Sequence, residues 1–340
     1  MAGMGTTQRT IAERLGISRS LVSRALNGSA EAIRAKPATV ARIRREARRL
    51  AYRPSVAALA LRGGTTRTIV VLVKDFADPF FGLMLAELDR LARRSGLSLV
   101  MRGLERGPGT PGGPALLDRY RPDGLLLVGS DFLPGEAARC LKDGVPVVRL
   151  GTDRGMNGVP QVAMDERAGL ARLAAYLRRL GHARIGYLAD THARSRRREA
   201  ALREALDGLG AEPAPAVGRR VWSDPAEARR LVAAAGAPSA WIAFDDLAAI
   251  RCLRVWRAAG IDVPGRISIA GVDDIPAAAL VTPALTTLRQ PVQALVRTAF
   301  RLLRSTEPTA AGERFGPVLV ARASCARREG TVAEQDTEVA

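Results

Sequence analysis

The sequence predicts two unlike parts: a short all-α module and a larger α/β core built on parallel sheets. Three observations predict this. Residues 7–50 carry apolar residues at helical spacing, with caps and breakers at the ends of each run. From Thr68 the texture changes to short apolar runs separated by helical patterns, as in βαβ units covered on both faces. The net charge of +18 is unevenly spread, with thirteen Lys/Arg against three Asp/Glu in residues 1–64. A short basic end on a long, weakly basic body points to a module for polyanions. Part of the total is compositional, because 49 of the 52 basic residues are Arg, so the asymmetry carries more meaning than the sum.

In the all-α part, Ile11, Ala12 and Leu15 set a first helix over residues 8–15, which Gly16 stops. Ser18 is a good N-cap for a second, residues 19–26, ended by Asn27-Gly28. A third, about 39–50, places Val40, Ile43, Ala47 and Leu50 on one face and arginines on the other. Tyr52-Arg53-Pro54 stops it; an Ala-rich segment, residues 55–61, and a linker, 62–66, follow. Strands are expected at 69–73, 97–101, 124–128, 145–150, 185–188, 240–244 and 267–271. Helices lie between them, for example at 81–95, 167–180 and 246–259. Residues 107–114 read as a Gly/Pro-rich loop and 327–340 as a disordered acidic tail.

Several classes of protein do not fit. Hydrophobic residues at 47% and charged residues at 25% make an ordinary globular mixture. No apolar run approaches the roughly 20 residues that cross a bilayer. The start, MAGMGTTQRT, has no apolar stretch behind its charges, so no secretory signal is expected and a cytoplasmic location is. Cys140, Cys252 and Cys325 are odd in number and far apart, which reads as reduced, buried thiols. His182 and His192 are the only histidines, too few for a His-based metal site or triad. Gly109-Thr110-Pro111-Gly112-Gly113 lacks the Lys-Ser/Thr of a phosphate loop, and no GxSxG elbow occurs. No enzyme, metal or cofactor is expected.

A helix, a Gly-containing turn and a second capped helix within twenty residues is helix-turn-helix geometry, whose second helix can read the major groove. The wording from Thr7-Gln8-Arg9-Thr10-Ile11-Ala12 through Ser18-Arg19-Ser20-Leu21-Val22-Ser23-Arg24 to Asn27-Gly28 resembles the opening of the lactose/galactose repressor (LacI/GalR) family. The resemblance continues along the chain in Tyr52-Arg53-Pro54-Ser55, Asp78-Pro79-Phe80-Phe81, Arg121-Pro122-Asp123-Gly124 and Gly144-Val145-Pro146-Val147-Val148. It resumes in Leu180-Gly181-His182-Ala183-Arg184-Ile185-Gly186, Ile269-Ala270-Gly271-Val272-Asp273-Asp274 and Pro283-Ala284-Leu285-Thr286-Thr287-Leu288. It implies a periplasmic-binding-protein-like pair of lobes behind the helix-turn-helix module. The expected bounds are a headpiece at 1–51 and a hinge helix with linker at 52–66. The expected core covers 67–326, with a first lobe at about 67–177 and 289–316 and a second at about 178–286 and 317–326. The chain is expected to return to the first lobe at 285–290.

By that resemblance the recognition helix reads bases through Arg19, Ser20 and Arg24, since Arg can give guanine two hydrogen bonds. A solvated Arg, or one on phosphate, is the plainer alternative. Thr7, Ser18, Ser23 and Asn27 match phosphate-contacting or capping positions, and Ser18 would cap its helix in any protein. Ala58 and Leu61 match the hinge, where the family inserts a leucine into a central minor-groove step. Leu59 departs from the polar residue usual there. Between Gly28 and Thr39 the chain runs about three residues longer than the family's, with Lys36-Pro37 in place of the usual Val-Ser; Arg34 or Lys36 as a further phosphate contact and a plain solvated loop are equal alternatives there.

The matching effector positions are Phe80 and the cleft-edge Asp165, then Arg198, Trp222, Asp245 and Asp273. An aromatic plate with an Arg and carboxylates suits a polar ring bearing hydroxyls, such as a sugar or nucleoside. Each has a plain alternative: Phe80 as core, Trp222 as a lobe cover, Asp273 as a helix cap. Arg194, Arg196, Arg197 and Arg198 crowd one stretch; Arg198 is chosen because Ala201-Leu202 and Ala205-Leu206 then fall where the family has Gly-aromatic and Ala-Leu. Glu166 replaces the family's Asn. The implied protein is a transcription regulator, most simply a repressor, acting as a homodimer on a near-palindromic double-stranded operator under a small sugar-like effector. No heptad pattern follows the last strand, near 318–323, so a tetramer is not indicated. An activator or an effector-independent regulator stays open. A transporter's solute-binding protein would need a signal sequence and has no use for residues 7–62.

Overall fold

The computed structural model describes residues 7–27, 35–52, 65–103, 113–129, 132, 134–151, 155–191, 193–214, 216–305 and 312–328. The chain divides into two compact units, Met1–Thr66 and Arg67–Ala340.

The first unit contains α1 (Gln8–Leu15), α2 (Arg19–Asn27) and α3 (Pro37–Arg49). Thr7 caps α1: its Oγ1 accepts from the Thr10 amide at 3.2 Å, and the Thr10 hydroxyl accepts from the Thr7 amide at 3.5 Å. Gly16 ends α1 at φ 62, a left-handed conformation that a side chain would strain. Ser18 Oγ accepts from the Leu21 amide at 3.2 Å and so starts α2. α3 begins at Pro37, earlier than periodicity predicts, because proline's missing N–H costs nothing in a first helical turn. Ile11, Ala12, Val22, Ala25, Ile43 and Ala47 form the buried centre. Two exposed arginines of α3 reach neighbouring helix ends: Arg42 donates to the Leu15 carbonyl at 2.5 Å, and Arg44 to the Ala25 carbonyl at 3.4 Å. These two satisfy carbonyls that α1 and α2 leave open.

The second unit begins with β1 (Thr68–Val73), α4 (Pro79–Arg94), β2 (Ser98–Gly103), α5 (Gly113–Tyr120), β3 (Gly124–Val128), α6 (Pro134–Lys142), β4 (Val147–Leu150) and β5 (Gln161–Met164). It continues with α7 (Glu166–Arg179), β6 (Arg184–Leu188), α8 (Ala193–Gly208), β7 (Glu212–Pro213), a 3₁₀ turn (Arg219–Trp222), α9 (Pro225–Ala233), β8 (Ala240–Ala243) and α10 (Asp246–Ala258). It closes with β9 (Ser268–Asp273), α11 (Pro276–Leu280), β10 (Thr286–Arg289), α12 (Val292–Leu303), β11 (Glu313–Phe315) and β12 (Val318–Val320). The strands make two sheets, β2-β1-β3-β4-β5-β11 and β7-β6-β8-β9-β10-β12. The two are wound alike, and pairing is parallel except where β12 runs against β10. Such sheets carry ligands outside the carboxyl ends of their strands.

The chain passes between lobes at Asp165, at Gln290-Pro291 and at Gly316-Pro317. Two expected bounds therefore move. α7 does not end the first lobe: Leu170, Leu173, Ala174 and Leu177 share one core with Ile185 and Tyr187 of β6. Residues 286–289 are not the crossover but a strand of the second sheet. The reason is local, since Asp165 both ends β5 and caps α7, leaving no break for sequence reading to find. α12 returns to the first lobe, where Leu295, Val296 and Ala299 pack among Ile69, Val71 and Leu126. Glycine matters at Gly271, where a Cβ would lie 2.2 Å from an Asp246 carboxylate oxygen.

Candidate functional site

On the first unit Thr7, Ser18, Arg19, Ser20 and Arg24 are exposed. Ser20 and Arg24 stand one turn apart on α2 with Arg19 beside them, the spacing that lets one helix face meet a groove. Neither Arg19 nor Arg24 has a partner among the described residues. The Thr7 and Ser18 hydroxyls cap helices, whatever else they touch. Ser23 is only 8% exposed, so the structure turns it inward and takes it out of the surface set. The Asn27 side chain, Ala58 and Leu61 lie outside the described residues.

In the second unit the polar residues gather at carboxyl ends of strands. After β1, Asp78 caps α4 by accepting from the Phe80 amide at 2.9 Å, and burial pushes its carboxyl above the usual range. Phe80 is buried and lines a cavity of about 20 Å³ with Phe81, Gly129, Glu166, Arg194 and Arg198. That is room for about one water.

Arg198 is 1% exposed and heavily bound. Its Nε donates to Glu166 Oε1 at 2.6 Å, its Nη1 to the Phe244 carbonyl, and its Nη2 lies 3.9 Å from Asp273 Oδ1. Burial works against this charge, but Glu166 and Asp273 more than offset it and hold the guanidinium protonated. Asp273 sits at the end of β9 with φ 118 and accepts from the Gln290 amide group. Burial pushes its carboxyl up to about 8, against the pull of Arg198 and Arg194. Next to it, Asp246 accepts from Thr287 Oγ1 at 2.5 Å and from the Ile275 amide at 2.9 Å, and burial raises it to about 7. These two contacts tie the start of α10 to β10 and to the residue before α11.

The remaining expected residues take other places. Asp165 caps α7 through the Ala168 amide at 3.0 Å, and Asp245 caps α10 through the Ala248 amide at 2.7 Å. Trp222 is 4% exposed and packs with Val221, Ala228 and Trp241, away from the cavity lining, so the lobe-cover alternative describes its position. Phe80 and Arg198 thus share the lining, Asp273 adjoins it through Arg198 and Gln290, and Asp165, Trp222 and Asp245 lie outside it. Sequence reading missed Arg194 and Glu166 as cavity residues. The i,i+4 spacing of Arg194 and Arg198 was the available signal, because it puts both on one helix face. Among the described residues no helix is long and apolar enough to cross a membrane, and no three His, Cys, Asp or Glu cluster to hold a metal.

A basic helix-turn-helix module joined to a core of two alike lobes defines a helix-turn-helix regulator with a binding-protein-like body. Residues 174–325 match the periplasmic binding protein-like domain family. The regulator GalR of Salmonella typhimurium is 30% identical over 332 residues, which cover 94% of this chain and 95% of GalR. CelR of Thermobifida fusca is 31% identical over 326 residues, covering 89% and 94% of the two chains. Among solved structures, the lac repressor dimer bound to operator and an anti-inducer superposes with a TM-score of 0.80 at 23% identity, over 95% of this chain and all of that one. The complex of CelR with cellobiose gives 0.64 at 26% identity, over 94% and 99%. The chain belongs to the LacI/GalR family of HTH-type transcriptional regulators.

Proposed function

We propose that the chain is a cytoplasmic repressor without enzymatic activity, which binds a near-palindromic operator as a homodimer and releases or grips it under a small sugar- or nucleoside-like effector. The exposed trio Arg19, Ser20 and Arg24 on a capped, rigid α2 carries the DNA half of this reading. In this reading Arg19 and Arg24 meet base edges or phosphates, Thr7 and Ser18 adjoin the backbone, and Ala58 and Leu61 belong to the hinge. The effector half is supported by the polar convergence around Phe80, Arg198 and Asp273, and by CelR's complex with cellobiose. A cavity with room for about one water must open to admit a sugar. Occupancy and lobe angle are then one event, and operator affinity responds to it by reciprocal coupling.

The experiment is selection of a preferred operator from random duplexes, followed by titration of Arg19→Ala at several salt concentrations. Wild-type affinity falls steeply with salt through counterion release. The variant loses roughly 1–3 kcal/mol on the selected site and relaxes preference at one symmetric pair of positions. Equal weakening on every duplex would make Arg19 a phosphate contact, and absence of any preferred duplex would overturn the proposal.

A further inference from the structure

The chain enters its core through a left-handed arginine. Arg67 is exposed and holds φ 53, a conformation that strains any residue with a Cβ. Each of its hydrogen-bonding backbone groups is nonetheless used: the amide donates to Asp123 Oδ2 at 2.7 Å, and the carbonyl accepts from the Ser98 amide at 2.7 Å. Its Nε donates to the Gly96 carbonyl at 3.1 Å and its Nη2 to the Ser95 carbonyl at 3.4 Å, both just past α4. Arg304, at the end of α12, reaches the same turn through Ser95 Oγ at 3.3 Å. Asp123 in turn donates its amide to the Thr68 carbonyl at 2.8 Å. One residue thus joins the starts of β1, β2 and β3 to the end of α4. Bonds this exposed add little to stability, because water replaces them readily, so stability does not account for the strain kept here. The headpiece end of the same link is fixed as well. Ala51 turns left-handed at φ 48, and the Tyr52 amide closes α3 on the Ala47 carbonyl at 2.9 Å. Between the two fixed ends lie 14 residues, 53–66.

We propose that Arg67 is a positioning residue: it fixes the point and direction from which the core holds each headpiece, and so sets the half-site spacing that the dimer accepts in its operator. This rests on the reading of a homodimer on a near-palindromic operator given above. The size of the effect follows from chain geometry. When Arg67 lets go, the next fixed residue is Thr68, buried and paired with Ser98 in β1. The link in each copy then gains one residue, about 3.4 Å of reach, and its end can swivel. One base-pair step is about 3.4 Å and turns a half-site by about 35° around the duplex axis. Release in both copies is therefore enough to absorb a change of one base pair. Arg67 does this without touching DNA, because a link with a fixed end raises the effective concentration of the second headpiece at one spacing and lowers it at others.

The test is competition binding with the full chain, on the operator selected from random duplexes and on versions with one base pair inserted or removed at its centre. The wild type loses at least about tenfold in affinity on either altered spacing. Arg67→Ala, and the double variant Arg67→Ala/Asp123→Ala that also removes the acceptor of the residue 67 amide, lose only about threefold or less. Arg67→Lys still reaches a carbonyl past α4 and keeps most of the wild-type discrimination. Affinity for random duplexes and the melting temperature of the core stay at their wild-type values in Arg67→Ala. A merely structural role would lower that melting temperature and leave the spacing preference as it was, and this result overturns the proposal. So does undiminished discrimination in both alanine variants, equal weakening on every duplex, or a wild type indifferent to spacing; each leaves the operator reading standing. A wild type with no preferred duplex overturns the operator reading itself.

Discussion

Arg19 and Arg24 stand in water on α2, while Arg194 and Arg198 are at most 7% exposed between two lobes. Both pairs place guanidinium groups where a ligand is to come, and they are kept there by opposite means. An exposed Arg needs only a stiff helix, and α2 is stiffened by a Ser18 cap and a six-residue apolar centre. Arg198, almost wholly buried, is held by partners already in place, so Glu166, the Phe244 carbonyl and Asp273 are as much part of the site as Arg198 itself. The surface site is a matter of residue type, and the buried one a matter of pairing.

That contrast breaks most easily at Glu166. Glu166→Ala leaves the Arg198 charge buried beside an empty space and should destabilise the core by about 3–5 kcal/mol, read from denaturant unfolding. Arg19→Ala, in the same assay, should cost nothing measurable. A Glu166→Ala cost below about 1 kcal/mol would mean that the pair behaves as a surface ion pair. The headpiece is vulnerable elsewhere. Ile43→Ala truncates one of the six apolar side chains buried among its described residues and should cost about 2–5 kcal/mol, enough to unfold so small a module. Operator binding should vanish while the core's melting transition persists; joint loss of both would show that the two units fold as one.

The pH dependence of the core sharpens the same point. Asp246 and Asp273 are held at about 7 and about 8, mainly by burial, above an ordinary carboxylate near 4. Raised carboxyls bind more protons folded than unfolded. Their contribution is therefore fully present below about pH 4 and is lost as pH rises through 7 to 8. Asp246→Asn, which copies the protonated form, should flatten that part of the wild-type slope; a difference between the two proteins that does not grow over pH 4–8 would contradict the assignment.

How much of this was legible follows from the same distinction. The headpiece helices could be placed because their signals are local: Thr7, Gly16 and Ser18 act within three residues of themselves. Phe80 and Asp273 could be picked out because each follows an apolar run, near strand ends where ligands bind; Arg198, inside α8, could be picked out only by its match to a family position. Glu166 was read only as a departure from the family pattern, since its partner stands 32 residues away on another helix. Arg194 was hidden among four arginines, because only the fold tells which are inside. Ser23 and Trp222 carry chemistry suited to contact, but their neighbours bury them, and burial is a property of the fold.

The smallest expected effect tests whether the surface site depends on its scaffold at all. Thr7 and Thr10 form a reciprocal cap on α1: one hydroxyl accepts an orphan amide of the first turn, and the other reaches back to the cap residue's own amide. Both residues belong to the outer part of the headpiece, so water can replace much of each bond. Thr7→Ala should therefore cost only about 1 kcal/mol of headpiece stability. Because α1 supplies Ile11 and Ala12 to the centre that α2 packs on, this loss should raise the unfolded fraction of the headpiece without altering α2's face. Operator affinity should then weaken slightly and for all duplexes alike below the headpiece's melting range, with base preference unchanged. If Thr7→Ala instead weakened binding tenfold or more with the headpiece still folded, Thr7 would be a direct DNA contact, and its cap a secondary duty.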